Sequence, residues 1–199
     1  MNEVLDGWDT FYVIIGSSAA ALTGLMFVVV SLTAEMRASQ DSTAFDAFAS
    51  PTIVHFCVVL LIAAILTSPN HTWTTLAVSL GLVGLIGLVY LAVVLVRMRR
   101  QSAYAPVRED WLWHLAFPLV AYLAIVVTAV GLSNRAGWPL YLVAASALIL
   151  LYTGIHNAWD TAAYMAIEGP KRFGRESPSI GELNEPKPVA MESASIPKS

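Results

Sequence analysis

The chain has 199 residues, 57% of them hydrophobic and 13% charged, with a formal net charge of -3. A soluble domain is roughly 45–50% apolar and about 25% charged, so charge is depleted about twofold here. The deficit lies in long apolar runs, which excludes an ordinary soluble domain and points to a polytopic membrane protein. The net charge says little by itself, because most of the acids lie in the two tails, and nucleic acid is not an expected partner. A single cysteine, Cys57, sits in an apolar run between Phe56 and Val58. It allows no intrachain disulfide and reads as packing.

The spacing predicts an all-α helix bundle with five transmembrane spans, near 10–34, 51–69, 73–97, 112–133 and 138–160. Each run approaches the roughly 20 helical residues needed to cross the hydrocarbon layer. The runs are continuous and lack the alternation of a membrane barrel, and within lipid only helices satisfy such segments internally. Acids, not bases, precede the first run (Glu3, Asp6, Asp9), so it reads as a retained span and not a secretory signal.

Span 1 opens on Trp8, Phe11 and Tyr12, aromatics suited to a headgroup interface. Gly16, Ala20 and Gly24 then form a small-xxx-small ridge for close helix packing, which places span 1 at the bundle centre or at a subunit contact. The 35–50 connection suits a short interfacial helix capped by Asp41 or Ser42, with Pro51 in the first turn of span 2. Span 2 carries His55 one turn in, and Ser68-Pro-Asn-His71 makes a tight turn. Span 3 has Gly81, Gly84 and Gly87 flattening one side, ends in Arg97-Met-Arg99-Arg100, and is the expected lipid-facing helix. Span 4 opens Trp111-Leu-Trp113-His114, and Pro118 predicts a kink.

Span 5 ends in Tyr152-Thr-Gly-Ile-His156-Asn157-Ala-Trp-Asp160, with Tyr152, His156, Asp160 and Tyr164 recurring every four residues on one helical face. Asn157 lies beside that face. The domain boundary falls at 1–167 for the transmembrane part. Residues 168–199, rich in Pro, Ser, Glu and Lys, read as a disordered cytoplasmic tail.

Basic residues fix the orientation. Arg37, Arg97, Arg99, Arg100, Arg108, Lys171, Arg172 and Arg175 share one side of a five-span topology, whereas Arg135 stands alone on the other. The positive-inside rule puts the N-terminus outside and the C-terminus in the cytoplasm, with a bacterial inner membrane as the expected location. Trp8, Trp73 and Trp138 then form an outer aromatic belt, and Trp111, Trp113 and Trp159 an inner one.

In this orientation His55, His114, Tyr152, His156, Asn157, Asp160 and Glu35 fall in one slab near the cytoplasmic interface. Ionisable groups in a membrane are candidates for function. Three readings stay open beside a purely structural polar cluster. One is an ion, proton or small-solute pathway of channel or transporter type, in a homo-oligomer. Another is a metal or haem site using His55, His114 and His156, with Asp160 or Glu35 as carboxylate. The third is a non-catalytic accessory protein bound to another membrane protein. The sequence names no cofactor: there is no Cys-x-x-Cys-His and no His-Glu-x-x-His. Without a nucleophile elbow, phosphate-binding glycine loop or paired carboxylates deep in a span, an enzyme is the least supported reading. The lipid bilayer is the one partner common to all three.

Overall fold

The computed structural model describes residues 5, 7–37, 43–70, 72–100, 111–133 and 138–176, with side chains for Leu5 and for 7–31, 51–70, 72–99, 111–132 and 138–163. The described part is all-helical. Its elements are α1 (Asp9–Arg37), α2 (Thr43–Thr67), α3 (Trp73–Arg100), a π-helical segment (Leu112–Ala116), α4 (Phe117–Ser133) and α5 (Trp138–Glu176). The chain divides into two units, residues 1–162 and 163–199. In the second unit α5 continues as helix to Glu176, through residues 168–176 that the sequence reading gave to the tail. Residues 177–199 lie outside the described residues.

Among the described residues, four helical stretches are long and apolar enough to cross a membrane: Asp9–Ser31, Trp73–Arg99, Leu112–Leu132 and Trp138–Ala163. The apolar part of α2, Pro51–Thr67, is shorter, roughly 25 Å at 1.5 Å per residue. The expected interfacial helix is not separate from span 2. Helix α2 starts at Thr43 and passes through Pro51 without a break, while Asp41 and Ser42 lie outside the described residues. The molecule's exterior is apolar, with Ile14, Phe27, Ile86, Val89 and Val130 all more than half exposed. A continuous apolar surface of this kind belongs against lipid and not water.

Glycines decide which helices approach closely. A Cβ on Gly16 of α1 would come within 2.8 Å of the Ala63 Cβ on α2. On α3, a Cβ at Gly81 would meet Ala129, at Gly84 Val126, and at Gly87 the Tyr122 ring at 2.2 Å. The descending numbers on one helix against the ascending numbers on the other make α3 and α4 antiparallel. Helix α5 packs through larger side chains. Trp8 meets Tyr141 edge-on at 4.8 Å, the Phe56 ring sits against Gly154, and Thr128 Oγ1 approaches the Pro139 carbonyl at 3.4 Å. These contacts set α5 parallel to α1 and antiparallel to α2 and α4, so the five helices alternate in direction. The core between them is built from Phe56, Ile62, Leu80, Ile125, Leu140 and Leu150.

Two local features follow from sequence. Asn70 takes a left-handed backbone (φ 63°) between α2 and α3, a conformation Asn tolerates better than other non-glycine residues. Thr72 then caps α3: its hydroxyl accepts from the Thr75 N–H at 3.1 Å, and the Thr75 hydroxyl accepts from the Thr72 N–H at 2.9 Å. This is a capping box with threonine in the place usually held by Glu or Gln. Pro118 does not simply kink α4. It has no N–H for the His114 carbonyl and crowds that carbonyl, and the chain responds with wider i→i+5 turns just before it, the Phe117 N–H donating to the Leu112 carbonyl.

Two expectations are corrected. Of the two places expected for span 1, the bundle centre is not the one it takes, and span 3 is not the most exposed: in an 18-residue apolar window of each, 22% of the residues are buried within the chain in the first span, 33% in the third and 56% in the last. The glycine ridge of α3 faces α4, which covers it. Cys57 points outward from α2 and takes no part in the core.

Candidate functional site

The candidate residues separate into an outward group and an interior group. Tyr152 is 70% exposed. His156 and Asp160 lie one turn apart on the same side of α5, with His156 Nε2 and Asp160 Oδ2 3.1 Å apart at 33% and 58% side-chain exposure. The His156 ring also stacks on Trp113 (centroids 3.8 Å, planes 24° apart), and Trp113 leans on Phe117 at 4.9 Å. His156 therefore ties α5 to the π-helical segment, with Asp160 holding its ring.

The interior group is His55, His114 and Asn157, all buried. His55 Nδ1 and the Tyr122 hydroxyl oxygen are 3.0 Å apart. Either the hydroxyl donates to the ring nitrogen or the ring N–H donates to the oxygen, depending on the tautomer. His114 stands at the middle of the π-helical segment and is 8% exposed. Asn157 is 2% exposed, and neither its Oδ1 nor its Nδ2 has a hydrogen-bond partner. His55 Nε2 is also unpartnered.

Glu35 lies in the last turn of α1, but its side chain, like those of Thr33 and Tyr164, falls outside the described residues, as does His71. Among the described residues, Gly16 is the one member of the small-residue ridge that meets another helix. Ala20 faces outward, and a Cβ on Gly24 would touch nothing within 4 Å.

Sequence reasoning passed over three residues of this interior. Tyr122 is fully buried and is the partner of His55. Thr52 and Thr153 are also fully buried. Thr153 had a legible signal, since it lies four residues before Asn157 and so shares its face.

Metal ligation finds little support in this arrangement. Among the described residues, no group of three or more His, Cys, Asp or Glu side chains is placed to hold a metal ion. His156 Nε2 is taken up by Asp160 and its ring face by Trp113, whereas His55, held by Tyr122 through Nδ1, keeps Nε2 without a partner. The three-histidine centre is not assembled by these residues. No protein-family model matches the chain, and neither a curated protein nor a solved structure does.

Proposed function

We propose that this protein is a five-span integral membrane protein, N-terminus outside and C-terminus in the cytoplasm of a bacterial inner membrane, that handles a small polar solute in transporter-like fashion at a site within the inner half of its bundle. One observation carries this reading. His55, Thr153 and Asn157, like Tyr12, hold buried polar atoms without partners in a mostly apolar bundle interior. An unsatisfied polar group in such surroundings is costly, and its retention favours a use beyond packing. The alternating helix directions support a fifth crossing by α2, whose buried face (His55, Phe56, Val59, Ile62, Ala63) meets neighbours on several sides. A site inside one bundle favours transporter-like handling over a pore between subunits.

The test is reconstitution. Proteoliposomes are expected to take up at least one of protons, K⁺, Cl⁻, urea or glycerol faster than protein-free vesicles. No acceleration for any of them from pH 5 to 8 would defeat the reading. Cysteine-accessibility or reporter fusions at the two termini check the topology, which requires the termini on opposite sides.

A further inference from the structure

Resting on that reading of the interior, we propose that His55, Thr153 and Asn157 form a binding site for a small, uncharged hydrogen-bonding molecule of about the size of water. The contact between Phe56 and Gly154 sets the register of α2 against α5. Gly154 offers no side chain, so the Phe56 ring enters where a Cβ would stand. His55 and Thr153 are the chain neighbours of that touching pair. Asn157 lies one turn farther along the same face of α5, level with the buried Thr52 on antiparallel α2.

Thr153 is the telling residue. A hydroxyl in a membrane helix ordinarily returns its hydrogen bond to the carbonyl four residues back. Ser18, Thr23, Thr67, Thr128, Ser146 and Thr161 all do so in this protein, at 2.8–2.9 Å. Thr153 does not, although it is 1% exposed and the carbonyl of Ile149 is the same four residues away. Its hydroxyl is thus released from the backbone in a place where water-facing solvation is absent. One turn on, Asn157 leaves a carbonyl oxygen and an amide nitrogen unpartnered, and His55 leaves Nε2.

The chemistry of these atoms names the guest. A hydroxyl both donates and accepts, a carboxamide supplies two donors and an acceptor, and an imidazole nitrogen does one or the other. Donors and acceptors are balanced. Among the described residues, the buried polar and charged side chains are Thr, Ser, Asn and His only, with no Asp, Glu, Lys or Arg. With no charged side chain among these buried groups to offset an ion's desolvation, the set favours an uncharged guest. The four unpartnered atoms are sealed from outside solvent, so the guest is small. Buried waters characteristically make about three hydrogen bonds to such groups, and a solute of water's size and polarity meets the same requirement.

The experiment uses the full chain in bilayers, with water as the probe. Water-edited solid-state NMR of protein labelled with ¹⁵N-asparagine should show fast magnetisation transfer from water to the Asn157 side-chain nitrogen, a signal identified by its loss in Asn157→Leu. Transfer should fall severalfold in Thr153→Val and return in Thr153→Ser. Thermal unfolding in detergent gives a second readout: Thr153→Val, which removes the hydroxyl at nearly constant shape, should melt several degrees lower than wild type. A dry Asn157 side chain, or wild-type or raised melting temperatures in both Thr153→Val and Asn157→Leu, overturns the site whatever the liposomes conduct. A wet Asn157 in protein that moves no solute keeps the site and defeats the transport reading instead.

Discussion

The two sides of α5 carry similar residues to opposite ends. On the outward side, Tyr152, His156 and Asp160 are exposed or half-exposed, and their polar atoms can turn to one another or to the headgroup layer. On the inward side, Thr153 and Asn157 are sealed, and Gly154 between them admits the Phe56 ring. The outward histidine gains an aromatic stack and a carboxylate partner, while the inward asparagine gains neither. A polar group near the surface is inexpensive because water can solvate it, and the same group in a bundle core must find a partner or a guest. Proximity in sequence therefore does not make Tyr152–Asp160 one site.

Substitutions on each side should break or sharpen this contrast, and the largest effect is expected inside. Gly154→Ala places a methyl 2.4 Å from the Phe56 ring, and overpacking of this kind costs about 2–3 kcal/mol. It is checked by thermal unfolding in detergent, and an unchanged melting temperature would mean that α2 and α5 are not in this register. Tyr122→Phe removes the partner of His55 Nδ1 and leaves that buried ring nitrogen unsatisfied, at about 1–2 kcal/mol. The same measurement checks it, and His55→Phe in the Tyr122→Phe background should recover most of the loss.

On the outward side, Trp113→Leu gives up the stack on His156, worth about 1 kcal/mol. Tryptophan fluorescence would report it independently, because His156→Leu should also alter emission from Trp113. Smallest of all is Asp160→Asn, whose exposed i,i+4 partner His156 contributes less than about 0.5 kcal/mol. A loss above 1 kcal/mol there, by chemical denaturation, would put Asp160 among the structural residues and erase the contrast between the two sides.

Much of the architecture was legible in the sequence, for a plain reason. Lipid tolerates only internally satisfied backbone, so length and continuity of an apolar run are enough to predict a helix. The Trp73–Arg99 and Leu112–Leu132 stretches show this well. Lateral packing was not legible. Gly16, Ala20 and Gly24 share one spacing, yet among the described residues Gly16 alone meets a neighbour, and the Gly81–Gly87 side of the helix expected to face lipid is the side that meets Tyr122, Val126 and Ala129. A membrane helix is apolar all round, so composition carries no stripe that marks the inner face.

The sequence by itself determined the helical character of each run and the apolar, membrane-crossing lengths that define the class of protein. Only the tertiary structure decided which of the polar residues look inward. That choice depends on helix rotation, set by contacts such as Phe56 on Gly154 and Tyr122 on Gly87. A rotation of about 100° per residue separates neighbours on α5, which is why Tyr152 faces out and Thr153 faces in.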